Sequence, residues 1–133
     1  MNNTASISRI RGYAIDNHPG APVRFTGQDP LGTSSIELIR IELENGTEGI
    51  AGSSTGWFGR GSGVLLTSIE SLAPEVIGRD IHDHQNLTRE LIDWSDPAQL
   101  NAVSILDIAM WDAYARNKGQ PVQQILGQQQ LHI

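Results

Sequence analysis

The stretch with the most chemistry in it is Asp80-Ile81-His82-Asp83-His84, which places four oxygen or nitrogen donors within five positions. Imidazole and carboxylate are ligands for zinc and related divalent ions, so a metal site is the sharp reading. The plainer reading is a helix start, in which Asp80 or Asp83 caps free backbone N–H groups and both imidazoles face solvent. His82 and His84 stand two apart and do not share a helix face, which favours the helix start. A second stretch, Gly59-Arg60-Gly61-Ser62-Gly63, precedes a helical segment and could cradle a phosphate on its N–H groups. It matches neither Gly-x-Gly-x-x-Gly nor a Walker loop, and the strands before it read as a hairpin, so an exposed loop is the better reading. Arg60 can still meet an anionic ligand from there.

Other catalytic arrangements fare worse. Asp107 and Asp112 lie on one predicted helix but five residues apart, on different sides, so each is expected to bond a neighbouring backbone group or arginine. Ser62 is not in a Gly-x-Ser-x-Gly elbow, and no triad assembles around it. The absence of cysteine excludes disulfides, thiolate metal sites and a cysteine nucleophile. Lys118 is the only lysine, which restricts chemistries that use an amine base.

The elements that must position these groups belong to one domain of 133 residues, 38% hydrophobic and 18% charged, with apolar material for a single modest core. Nine basic residues scattered from Arg9 to Lys118 in a chain of net charge -6 argue against a nucleic-acid partner. The N-terminus Met1-Asn2-Asn3-Thr4-Ala5-Ser6 lacks a secretory pattern, and no apolar run reaches membrane-spanning length. A cytoplasmic, non-membrane protein is therefore expected, in which the sequon-like triplets at Asn45 and Asn86 carry no glycan.

Residues 6–15 are β-prone, with Gly12 expected to weaken the strand or mark a bulge. Residues 16–35 turn to Pro, Gly, Asp, Asn and Thr and read as a long irregular loop, of the length that usually has a function. Residues 36–43 form the clearest strand, with Ile39, Ile41 and Leu43 on one face and Arg40 and Glu42 on the other. Asn45-Gly46 makes a hairpin turn into a thin return strand over 48–52. A second loop over 53–63 sets Trp57 and Phe58 among glycines, which makes poor core and good lid material.

Helices follow. Residues 64–73 repeat apolar side chains at Leu65, Ile69 and Leu72 and are expected to break at Pro74; residues 83–94 align Leu87, Leu91 and Ile92. Asp96-Pro97 opens the longest helix, which runs to Lys118 and ends at Gly119, roughly 30 Å in all. So long and apolar a helix needs burial on more than one side, more than a small domain supplies, which implies a missing partner surface. A short helical turn over 122–126 precedes a polar tail, 128–133. Strands first and helices after indicate an α+β fold: a three-stranded antiparallel sheet followed by a helical bundle.

The segment Ala102-Val103-Ser104-Ile105-Leu106-Asp107-Ile108-Ala109-Met110-Trp111-Asp112-Ala113, continuing through Lys118-Gly119-Gln120-Pro121-Val122 to Ile125-Leu126-Gly127, resembles the enolase superfamily, in its mandelate racemase and muconate lactonizing enzyme branch. Leu72-Ala73-Pro74 with Ile77-Gly78-Arg79-Asp80, and the Asn45-Gly46 hairpin with Gly49-Ile50-Ala51-Gly52, look like two further landmarks of that family. The resemblance covers nearly the whole chain in order and spacing.

It implies that residues 1–127 are an N-terminal capping domain, whose two loops close over the mouth of a modified TIM barrel and shape substrate choice. On that reading Phe25, Thr26, Thr55, Trp57, Phe58 and Arg60 contact substrate, a small carboxylate such as an acid sugar or hydroxy acid. The family abstracts a proton α to a carboxylate and stabilises the enediolate with Mg²⁺, as in racemisation, dehydration and cycloisomerisation. Its bases and acidic metal ligands sit on barrel strands, to which no position up to Ile133 corresponds. The chain is thus expected to be non-catalytic alone and to need a barrel in cis or on another chain; a homo-oligomer is expected too. Where the family usually places Gly-Glu after the third strand, this chain has Ser54-Thr55, a departure at a position that usually makes a polar contact. The competing expectation is a stand-alone, non-catalytic binding or assembly module of the same fold; nucleotide binding by residues 59–63 is a third.

Overall fold

The computed structural model describes residues 5–16, 35–54 and 63–127. Strands β1 (Ile7–Asp16), β2 (Ser35–Leu43) and β3 (Glu48–Ser54) form an antiparallel sheet in the order β1-β2-β3. Helices α1 (Val64–Val76), α2 (His84–Leu91), α3 (Pro97–Lys118) and α4 (Val122–Ile125) follow, the first two joined through a 3₁₀ turn at Ile81–Asp83. The α+β expectation holds. Among the described residues no helix is long and apolar enough to cross a membrane.

Period-2 alternation buries Ile39, Ile41 and Leu43 completely, while Arg40 and Glu42 on the opposite face pair with Glu48 and with Arg9 and Arg11. The turn into β3 closes through Leu43 N–H to Thr47 O (2.8 Å) and Thr47 N–H to Asn45 Oδ1 (3.0 Å), with Gly46 at φ 83°. β3 is thin for a reason. Gly49 lies beneath α3 so closely that a Cβ would stand 2.2 Å from Ala109 O and 2.5 Å from Ala113 N. The small residues of β3 and α3 let two backbones meet, and Val103, Leu106 and Met110 fill the core beside them, each such burial contributing ~1.5–3 kcal/mol.

The ends of α3 follow cap chemistry. Asp96 accepts from Ala98 N–H (2.9 Å) and Gln99 N–H (3.2 Å), Pro97 takes the first turn, and Gly119 ends the helix at φ 64°.

Three expectations are corrected. Gly12 is not at the irregularity of β1, which falls between Ile7 and Arg9; it pairs regularly with Ile39, and its missing side chain makes room for Leu66 of α1, 2.7 Å from where a Cβ would be. α1 does not break at Pro74 but runs on to Val76, because a proline in the last turn forfeits one intrahelical bond and Ile77 N–H still reaches Ala73 O at 2.9 Å. The helix predicted over 83–94 is shorter. It ends at Leu91, and Asp93 binds Ser95 N–H (2.9 Å) and Ser95 Oγ (2.6 Å), a local turn that competes with helix.

Ahead of β1 the chain is stitched to the α1–α2 connection. Ile7 N–H donates to Arg79 O (2.8 Å), Gly78 N–H to Ile7 O (2.8 Å) and Ile81 N–H to Ala5 O (2.9 Å).

Candidate functional site

The sheet register brings together described residues that flank segments 17–34 and 55–62. Asp16, where the first begins, stands opposite Ser35, where it returns, and the next residue, Ile36, stands opposite Ser54, where β3 ends. Three chain ends therefore share one end of the sheet.

The fourth is tied there by Glu37. Its side chain is buried, on the inward face of β2, and its carboxylate accepts the backbone N–H of Gly63 and of Leu65 (3.1 Å) at the start of α1. A carboxylate is favoured there because a helix N-terminus presents unpaired N–H groups and partial positive charge. These N–H groups are consequently occupied by the protein itself, which removes them from any phosphate cradle at residues 59–63. Gly63 is also left-handed (φ 92°), so the chain turns sharply into the helix.

Phe25, Thr26, Thr55, Trp57, Phe58 and Arg60 all lie outside the described residues. Within those residues the structure locates the ends of the segments that carry them.

The Asp80–His84 cluster does not converge on a cation. Asp80 Oδ1 accepts from His82 N–H (2.9 Å) and lies 2.8 Å from His82 Nδ1, and these bonds, the backbone one foremost, hold the Asp80 carboxyl below its ordinary range. Both imidazoles lie against Tyr114, His82 at 5.7 Å between ring centroids and His84 at 4.9 Å, but only His82 stays exposed. Contrary to the expectation of two exposed imidazoles, His84 is buried, with Nδ1 2.9 Å from Ile81 O and its ring also against Trp111 (4.4 Å between centroids, edge-on). Burial pushes its pKa down, partly offset by the Ile81 carbonyl and by Asp107. A neutral imidazole donating from Nδ1 leaves Nε2 as an acceptor, buried and without a hydrogen-bond partner among the described residues.

Asp107 accepts from Thr88 Oγ1 (2.7 Å). Asp112 accepts the edge N–H of Ile50 on β3 (2.9 Å) and Arg116 Nε (2.9 Å), so it meets the expectation of a backbone or arginine partner, whereas Asp107 bonds a threonine hydroxyl instead. The single lysine is engaged as well: Lys118 Nζ lies 4.8 Å from the centre of the Tyr114 ring. No three His, Asp or Glu side chains among the described residues could together hold a metal ion, so none of them is assigned as a Mg²⁺ ligand. What the described part can do is position the two segments.

Sequence reasoning missed Glu37, although the alternation that selects Ile39, Ile41 and Leu43 also puts residue 37 inward. It also missed the ring stack around His84, for which the sequence holds no local signal.

Comparison with known proteins agrees with this architecture. Residues 13–127 match the family described as mandelate racemase / muconate lactonizing enzyme, N-terminal domain. A D-galactonate dehydratase family member, ManD, from Chromohalobacter salexigens is 34% identical over 93 residues, covering 67% of this chain and 23% of that protein. The L-talarate/galactarate dehydratase of Salmonella typhimurium is 29% identical over 106 residues, covering 75% of this chain and 26% of that protein. The crystal structure of the Salmonella typhimurium LT2 enzyme shares the fold with a TM-score of 0.79 at 24% identity, over 96% of this chain and 34% of that one. This chain spans about a quarter of the length of such curated relatives. By the extent of the match, it belongs to the mandelate racemase / muconate lactonizing enzyme family of the enolase superfamily, as the N-terminal domain.

Proposed function

We propose that residues 1–127 are the capping domain of a magnesium-dependent enzyme that removes a proton α to a carboxylate, and that residues 128–133 lead toward its barrel. One observation carries the reading: the described residues flanking segments 17–34 and 55–62 meet at one end of the sheet, with Glu37 tying down the last of them. Segments with neighbouring ends can present their side chains to a single ligand. Phe25, Thr26, Thr55, Trp57, Phe58 and Arg60 are the residues proposed to contact it, Arg60 as the counter-charge for a carboxylate.

The relatives named above are acid-sugar dehydratases, which supports a small polyhydroxy carboxylate as substrate class. Magnesium, held by acidic residues outside the described ones, would stabilise the negative charge that develops on the carboxylate as the α proton leaves. Asp107, Asp112 and Lys118 are committed to structural contacts, and the family resemblance implies that the base, too, stands on the barrel.

The test uses the polypeptide as its gene encodes it, with whatever follows residue 133 or any co-encoded chain, supplied with Mg²⁺ and a panel of aldonic, aldaric and hydroxy acids. Turnover of a panel member is expected, with Arg60→Ala and Trp57→Ala raising KM more than they lower kcat. Turnover by the 133-residue chain alone would overturn the division of labour. A coding sequence that stops at residue 133 with no companion chain would instead identify a binding or assembly module.

A further inference from the structure

An antiparallel sheet that covers a core on one side usually turns a polar face to water on the other. The outer face of this sheet is polar over only half its length. In the row nearest the hairpin, Arg9 and Glu48 flank Glu42. Two rows at the other end differ: Tyr13 and Gly52 flank Leu38, and Ile15 and Ser54 flank Ile36. Tyr13 is 41% and Ile15 47% exposed, and Ile36 is exposed with them, so the apolar half is open to contact. Scattered apolar residues are ordinary on a surface, whereas a contiguous patch rimmed by charge marks an interaction site.

We propose that this face is where two copies of the chain meet, sheet against sheet, about a two-fold axis running along β2. A second copy is selected because the surface is complementary to itself, the condition that a two-fold contact imposes. Such an axis keeps each row at its own level and sets β1 of one copy over β3 of the other, with the sheets about 10 Å apart. Size then matches: the large Tyr13 and Ile15 of β1 fall over Gly52 and Ser54 of β3. Leu38 takes the place of the side chain that Gly52 lacks, its Cδ2 standing 2.3 Å from where a Cβ would be, which leaves that spot low and apolar. An axis perpendicular to the strands would instead lay the charged half of one copy on the apolar half of the other.

Charge matches under the same operation. Arg9 of each copy falls over Glu48 of the other, because the two flank Glu42 in one row. Within one copy Arg9 and Arg11 share Glu42 at 3.8 Å each and Arg40 meets Glu48 at 3.6 Å, all too long for hydrogen bonds, so these groups keep capacity for a closer partner. Arg40 Nε, moreover, is buried without a hydrogen-bond partner among the described residues. Two-fold pairing of the sheets is independent of the chemistry proposed for the protein.

The experiment is sedimentation equilibrium of the natural gene product, with everything encoded beyond residue 133. An even-numbered assembly is expected. Arg9→Glu and Glu48→Arg, which set like charges face to face, should each weaken self-association about tenfold or more, and the double variant, which restores opposite charges across the axis, should recover it. Arg9 and Glu48 stand on strands separated by β2 and pair with other residues, so recovery points to a contact between copies. Hydroxyl-radical labelling of Tyr13 should fall several-fold as rising concentration drives assembly, whereas that of Trp94, 80% exposed and outside the sheet, should not change. A monomer at all concentrations, single variants that assemble like the parent, or a double variant as weak as the singles would each overturn the proposal. So would a Tyr13 equally protected in the dilute monomer, which would assign the face to another part of the same polypeptide. Assembly through this face in a protein that turns over no acid leaves the interface standing and removes the proposed function; activity in a protein whose assembly ignores these substitutions does the reverse.

Discussion

Glu37, in the middle strand, holds the backbone N–H of Gly63 at the entrance to α1, and so links the sheet to the far end of the 55–62 segment. The same carboxylate takes Leu65 N–H at 3.1 Å, and no other side chain caps that helix among the described residues. Removing it leaves N–H donors buried and unpaired. Glu37→Ala is expected to cost about 1–3 kcal/mol in urea unfolding, and Glu37→Gln, which keeps one acceptor oxygen, less. Faster amide exchange at Gly63 and Leu65 in both variants would locate the effect, whereas unchanged exchange there would refute the anchoring role.

Gly49 sets the distance between sheet and helix. The atoms a Cβ would strike are Ala109 O and Ala113 N, both backbone, so no side chain can rotate out of the way. Gly49→Ala should therefore force α3 off β3 and cost about 1–3 kcal/mol or more by overpacking. Trimming the neighbour with Ala113→Gly removes only the third-nearest atom, at 2.7 Å, and should not rescue the variant. Full rescue in thermal unfolding would show that the side chain, and not the helix backbone, limits the approach.

Asp112 protects a sheet edge. β3 is the outermost strand, and the Asp112 carboxylate fills the hydrogen-bonding position at Ile50 N–H that a further strand would otherwise seek. Asp112→Ala should destabilise by about 0.5–3 kcal/mol and speed exchange of the Ile50 amide, with Asp112→Asn intermediate because its carbonyl can still accept. An Ile50 amide equally protected in all three proteins would mean that the bond contributes nothing.

Features specified by nearby residues were the legible ones. The alternation at Ile39, Ile41 and Leu43, the Asn45-Gly46 turn and the Asp96 and Gly119 caps each follow from a few consecutive residues, and each is present in the structure. Less legible were features whose partners lie far along the chain. Glu37 bonds across to α1, Gly12 yields to Leu66, and Ile7 pairs with Arg79, each with a partner that no local pattern names. His84 is the sharpest case: polarity argued for solvent, and the aromatic shelf of Trp111 and Tyr114 on another helix outweighed it. As for the site, the segments stood out by composition, but only the pairing of Asp16 with Ser35 and Ile36 with Ser54 shows that their ends are neighbours.

That buried imidazole makes stability depend on pH in a defined direction. Burial pushes the native pKa of His84 below the ordinary value of 6.5, against the smaller opposing effects of the Ile81 carbonyl, Asp107 and Asp83, while His82 adds to the lowering. Above pH 6.5 both folded and unfolded chains carry a neutral His84, and the residue adds no pH dependence. As pH falls below 6.5 the unfolded chain binds a proton that the native one refuses, so stability declines, by at most about 1.4 kcal/mol per pH unit, until the native pKa is reached. The carboxylates held low by their partners, Asp80, Glu90 and Asp93, act in the same direction, but only below their ordinary values of 3.8 to 4.5. The interval from pH 6.5 down to about 5 therefore lies above the range in which those three carboxylates act. His84→Phe keeps a ring against Trp111 and Tyr114 but has nothing to titrate, so its urea midpoint should be flatter over that interval than that of the parent. If parent and variant lose stability in parallel between those pH values, the acid sensitivity originates elsewhere and the buried neutral imidazole is not its cause.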